Sequence, residues 1–203
     1  MLLLGEIVRR HARFRGSRLA YVIDHADGNV DRVTYAEMDE GTNRLAHVLM
    51  TAGVGHGDRV AILAHNCIEY PWVYFACSKL GAIAVPVNTR YRADEIRHAI
   101  DFAEAEVVIT GPEFVETLES LVDAGALPHL LRVFVLGETP AKKESRTASF
   151  ESLEPLLRVS SPDEPEPDEP PSENDAHVSC TPVARRERRK APSFHSAPTS
   201  FRP

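Results

Sequence analysis

Four short apolar runs constrain the fold more than anything else in the sequence. They are VAILA at 60–64, AIAVPV at 82–87, EVVIT at 106–110 and RVFVL at 132–136. A strand whose consecutive residues are all apolar has no face to offer water, so it is covered on both sides. The stretches between the runs are long enough for one helix each. Strand, helix, strand repetition of this kind builds a mainly parallel sheet with helices packed on its faces. The fold class expected is therefore α/β.

The local signals agree. Residues 3–15 place Leu3, Ile7, Val8, His11 and Phe14 at helical spacing, with arginines between them. Leu19–Ile23 reads as a strand, and Asp24–Asn29 as a turn, with Asp27-Gly28 as a hairpin signal towards Asp31–Val33. Thr34 followed by Glu37 is a capping box, and Met38, Thr42, Leu45, Leu49 and Ala52 continue that helix until Gly53 stops it. Asn66 caps a further helix over about 68–80, which Gly81 ends. Ile96, Ala99, Ile100 and Ala103 form a third helical stripe, and residues 113–124 a fourth helix. Ordered character fades after Leu157. The segment SSPDEPEPDEPPSEND at 160–175 has five prolines, seven acids and no large apolar residue, so it is expected to be an extended, solvated linker.

Little chemistry is visible. The chain carries a net charge of −7, but Thr181–Pro203 holds six basic residues and one acid, a net of +5, which leaves −12 on the rest. The three cysteines, Cys67, Cys77 and Cys180, lie at no metal-ligand or redox spacing and suit a reducing cytoplasm. MLLLGEIVRR does not read as a signal peptide, and no stretch is apolar enough to span a bilayer. The nine histidines show no metal-ligand pattern. His65 stands at a strand end, where functional residues are common, although a histidine in an apolar run more often serves packing or a turn contact. Gly53, Gly55 and Gly57 could cradle phosphate if they followed a strand and opened a helix. They follow a helix and open a strand, which reads as a helix stop and a turn.

The order of motifs is more specific than the fold class. TYAE opens a helix that contains NRLA. GVGHGDRVAI, NCIEY and KLGAIAVPVNTR then follow. Together they resemble the opening of the acyl-CoA synthetases, in the adenylate-forming, AMP-binding superfamily, from about Leu4 to Val178. The resemblance implies the N-terminal, mainly parallel-sheet portion of that fold. It also implies a two-step reaction: a carboxylic or fatty acid and Mg-ATP give an acyl adenylate and pyrophosphate, and the thiol of coenzyme A then displaces AMP. The phosphates would be held by a loop of the form YTSGTTGxPKG. Asn88 and Arg90 match a family pattern to which no chemical role is attached. No residue here matches a catalytic motif, so none is assigned as catalytic, cofactor-binding or metal-binding.

The expected loop does not follow Val178. The chain reads SCTPVARRERRKAPSF instead. In the neighbouring reading frame, each codon takes its first base from the third position of one residue and its last two from the next. Cys180 then permits leucine, Thr181 tyrosine, Pro182 threonine, Val183 serine, Ala184 glycine, and Arg185 and Arg186 threonine. Continued to Phe194, that frame can encode LYTSGTTGAPKGAIF, the family's phosphate loop. A frameshift between Val178 and Ser179 is therefore expected, and the arginines of ARRERRK are read as its by-product rather than as a nucleic-acid patch.

The organisation expected is thus a partial adenylation domain over 1–157, an acidic linker over 158–178 and a basic, disordered, out-of-frame tail over 179–203. Such a chain binds neither ATP, Mg nor CoA by itself and is inactive. Two alternatives stay open: a non-catalytic module pairing with an intact homologue, and a basic-tail nucleic-acid binder. A sheet that continues into missing sequence leaves an edge or apolar face uncovered, from which poor solubility is expected.

Overall fold

The computed structural model describes residues 3–25, 28–137, 143–144 and 147–180, of which 143–144 are described by backbone alone. The basic stretch from Thr181 and the Asp27 of the hairpin signal lie outside the described residues. Helix α1 (Leu4–Arg15) leads into a hairpin of β1 (Leu19–Asp24) and β2 (Val30–Thr34), which pair antiparallel. Then come α2 (Tyr35–Thr51), β3 (Arg59–Leu63), α3 (Glu69–Leu80), β4 (Ile83–Pro86), α4 (Ala93–Phe102) and β5 (Val107–Thr110). A short 3-10 turn (Pro112–Phe114), α5 (Val115–Asp123), β6 (Arg132–Val135), β7 (Lys143–Glu144), β8 (Ser149–Ser152) and α6 (Leu153–Val159) complete the set.

The main sheet has the order β4-β3-β5-β6-β8-β7. The first five strands run parallel, and β7 pairs antiparallel with β8 at one edge. The apolar runs do what two-sided burial requires. Val60 and Ile62 of β3 join a core with Leu45 and Leu49 of α2 and Val73 and Leu80 of α3. Ala61 and Leu63 face the other way, onto Ile96 and Ile100 of α4 and Leu118 and Val122 of α5. Period-two alternation along one strand thus serves two helical layers.

Helix α1 packs on α2 and α3 as a further layer, and the packing is close. A side chain at Gly5 would meet Lys79 Cγ at 2.9 Å, and one at Gly41 would meet the Trp72 ring at 2.5 Å. The α2 cap is built as its sequence indicates: the Glu37 amide donates to Thr34 Oγ1 at 3.3 Å, and the Glu37 carboxylate accepts the Thr34 amide at 2.8 Å.

Order extends past Leu157. Helix α6 runs to Val159, and β8 adds a fifth parallel strand that no apolar run in SFES announces. The acidic segment that follows has no helix or strand beyond one β-bridge, yet it is pinned to the body near both ends, at 162–164 and 175–178, while most residues between are exposed. Pro165 is buried.

Candidate functional site

The chain steps from β3 outward to β4 and then returns to β5 on the other side of β3. In open parallel sheets, ligands sit beyond the carboxyl ends of the strands at such a reversal. Here the crevice between β3 and β5 is closed by backbone. Leu63 O accepts both the Gly111 amide and the buried Thr110 hydroxyl, each at 3.0 Å. His65 projects just beyond, with Nε2 3.7 Å from Glu113 Oε1 and its ring 5.9 Å from Phe114. The histidine side chain is 70% exposed. A loose, solvated pair of this kind holds the turn after β3 and brings no nucleophile or oxyanion donor to a common point.

Asn88 leaves β4 at the same end of the sheet. Its side-chain oxygen accepts the Arg90 amide at 2.9 Å, and its carbonyl accepts the Tyr91 amide at 3.0 Å. This is an Asx turn that redirects the chain into α4. It gives the NTR motif a structural reason, and Arg90 itself is exposed.

The outer border of β4 is the most informative location. Ile83 and Val87 donate to Asp58 and Ile62 carbonyls across β3, so Ala84 and Pro86 direct their backbone outward. The Ala84 amide donates to His177 O at 3.0 Å, and Ala84 O accepts the Ser179 amide at 2.9 Å. Val178 thereby forms an isolated parallel bridge with Ala84 at the border of β4.

The acidic segment delivers Val178 there along a series of fixed points. The Arg44 guanidinium donates to Ser160 O at 2.6 Å, and Asn43 Nδ2 to Pro162 O at 2.8 Å. Lys79 Nζ, nearly fully buried, donates to Asp39 Oδ1 at 2.9 Å, Asn43 Oδ1 at 2.6 Å and Glu164 Oε2 at 2.9 Å. Three ammonium protons meet three acceptors, as a buried lysine requires. Further along, His56 Nε2 lies 2.9 Å from Asp175 Oδ2. The Ser172 amide and then His56 hold that carboxyl below its ordinary range. Glycine at position 81 makes room for the His56 ring, since a Cβ there would stand 2.5 Å from it.

The polar groups of these contacts are engaged with one another. Lys79 is the one lysine whose side chain is described, and its protons are all committed. The glycine cluster lies at the amino end of β3, where the Gly55 amide is already taken by Asp58 Oδ2 at 2.8 Å. Among the described residues, no group of three His, Cys, Asp or Glu side chains is placed to hold a metal. No helix among them is long and apolar enough to cross a membrane.

Lys79 and its acceptors escaped the reading from sequence. The available signal was a single lysine inside the apolar stretch FACSKLGAIAV, together with Asp39 and Asn43 four residues apart on one helical face.

The profile of a family described as AMP-binding enzyme matches residues 8–180. Long-chain-fatty-acid–CoA ligase FadD13 of Mycobacterium tuberculosis is 36% identical over 118 residues, which cover 58% of this chain and 23% of that protein. The solved N-terminal domain of FACL13 from Mycobacterium tuberculosis superposes with a TM-score of 0.72 at 27% identity, covering 88% of this chain and 40% of that one. Anthranilate CoA ligase AuaEII, solved with anthranoyl-AMP, gives a TM-score of 0.73 at 25% identity, over 87% of this chain and 31% of that one. The chain thus spans about a quarter of the length of the curated relatives it matches.

Proposed function

Because the chain belongs to the AMP-binding enzyme family of adenylate-forming acyl-CoA ligases, we propose that it is the opening portion of a carboxylic acid–CoA ligase, interrupted after Val178 by a shift of reading frame and inactive as it stands. The observation that carries this reading is the bridge between Ala84 and Val178. That bridge stands at the residue after which the neighbouring frame would continue with LYTSGTTG, so in that frame a parallel strand would extend beside β4. A loop at the far end of that strand would emerge at the carboxyl edge of the sheet, where phosphate-binding loops of parallel sheets lie. The family profile ends at Cys180, just past the same junction.

Among the described residues, amides, hydroxyls and a free lysine do not converge on one point. In the intact enzyme, the segment beyond Val178 would bring the groups that hold ATP phosphates. The part seen here contributes the rigid sheet on which they are mounted. The acid activated is proposed to be a medium- or long-chain fatty acid, a reading that the similarity to FadD13 supports. The similarity to AuaEII keeps aryl acids as competitors.

Pyrophosphate exchange into ATP tests the proposal. The chain as it stands is expected to show none with octanoate, palmitate or anthranilate, and the gene with its frame restored is expected to show it with at least one. Exchange by the present chain would overturn the reading. So would codons at 179–194 that cannot spell the loop in the other frame.

A further inference from the structure

One isolated bridge decides where a strand continuing from Val178 would lie, and that bridge cannot set its own register. It consists of two backbone hydrogen bonds, from the Ala84 amide to His177 O and from the Ser179 amide to Ala84 O. Register is firmly specified where one face of a strand is buried. Val178 is 42% exposed and Cys180 is exposed, so burial specifies little here. The nearest carboxylate clip upstream is Asp175. Its Oδ2 accepts the Ser172 amide at 2.6 Å and lies 2.9 Å from His56 Nε2, and the Asp175 amide donates to Ser172 O at 3.2 Å. Glu169 Oε1 stands 3.8 Å from the other nitrogen of the same ring. The turn that carries His56 is fastened to the start of β4. The Gly57 amide donates to Gly81 O at 2.9 Å, and the Ile83 amide to Asp58 O at 2.7 Å. Closer to the bridge, His177 Nδ1 lies 3.4 Å from the buried Ser78 hydroxyl, a longer and weaker contact. Lys79 holds Glu164, too far back along the chain to select one rung.

We propose that His56 is a positioning residue: by holding Asp175 it sets the register in which Val178, and any strand that continues from it, meets β4. A slip of one residue would carry Asp175 about 3.3 Å along the border. That would break its contact with His56, which is mounted on the turn leading into the sheet and cannot follow. The slip would also turn every following side chain to the opposite face. The catalytic part of the inference rests on the reading of the chain as the opening of a ligase. In the intact enzyme the slip would displace the phosphate loop, and a misplacement of about 1 Å is enough to slow a reaction about a hundredfold. His56 acts only through Asp175.

Amide hydrogen exchange of the chain as it stands tests the latch. In His56→Ala, the Ala84 and Ser179 amides should exchange about tenfold faster, as expected for losing one hydrogen bond to a charged group. The Gly111 and Leu136 amides, which bond Leu63 O and Thr110 O, should keep the parental rates. His56→Gln retains a side-chain donor and should restore most of the protection. With the reading frame restored, His56→Ala should lower pyrophosphate exchange about tenfold or more at saturating ATP, without moving the urea midpoint, and His56→Gln should recover most of it. Parental exchange at Ala84 and Ser179 in His56→Ala overturns the inference. So does equal acceleration at all four amides, which marks a general loss of stability. An active restored parent matched by its His56→Ala variant overturns the catalytic part. A restored parent without pyrophosphate exchange overturns the functional reading instead, and the amide rates then decide the latch alone.

Discussion

Glu164 reaches out of the acidic, proline-rich segment to 2.9 Å from the ammonium of Lys79, a cation that is itself nearly fully buried between α2 and α3. The contact turns a stretch that looks like a linker into part of the domain. Removing one member of a buried pair strands the other, at about 3–5 kcal/mol. Asp39 and Glu164 keep some exposure, at 18% and 32%, so Lys79→Met should fall at the low end, about 3 kcal/mol in urea denaturation. Glu164→Gln keeps an acceptor and should cost about 1 kcal/mol. Equal stability of Lys79→Met and the parent would show that the pair contributes nothing.

The contact between Gly41 and Trp72 gives a second prediction. Alanine is the better helix former by about 1 kcal/mol, so an unhindered Gly41→Ala would stabilise α2. A Cβ at position 41 would stand 2.5–2.7 Å from three atoms of the indole ring, so the ring must shift to admit it. The expected net result is destabilisation by about 2 kcal/mol. Trp72 is the sole tryptophan, so its emission reports the displacement directly.

The α2 cap predicts a dependence on pH. Thr34→Ala should cost about 1 kcal/mol at neutral pH. The Thr34 amide and hydroxyl hold the Glu37 carboxyl below its ordinary value. A depressed carboxyl stabilises the fold above the unfolded value, about pH 4.3, and loses that contribution as pH falls through the folded value. Glu37→Gln should therefore flatten the acid side of the stability profile below about pH 4 and lower the neutral plateau. An unchanged acid limb would contradict the cap.

Thiol labelling gives the fourth. Burial pushes the Cys67 and Cys77 thiols up to about 12, and Cys180 is exposed. At pH 8, a disulfide reagent should modify Cys180 rapidly and the other two only on unfolding, because the thiolate is the reacting form. Cys180→Ser should abolish the fast phase.

The legible parts of this chain were those in which local and global preferences coincide. The VAILA run, the Thr34–Glu37 box and the Gly81 stop each specify a conformation within a few residues, and the structure follows them. β8 was not legible: Phe150 is its single buried large residue, and its strand character comes from pairing with β6. The docking of residues 160–178 was hidden for another reason. Its acids look like solvated charge until the partners are known, and those partners, Asn43, Lys79 and His56, lie about 80 to 120 residues earlier in the chain. The candidate site was legible only in part. His65 falls at the predicted strand end, but its loose contact with Glu113 could not be read from spacing.

Pro86 follows Ala84 on the outward-facing register of β4 and has no amide hydrogen to give. A foreign chain seeking to extend the sheet on that side meets one occupied rung at Ala84 and a missing donor at the next. The border is thus poorly suited to template a growing fibril. The proline that shortens this strand guards the protein against the self-assembly that an open parallel sheet invites.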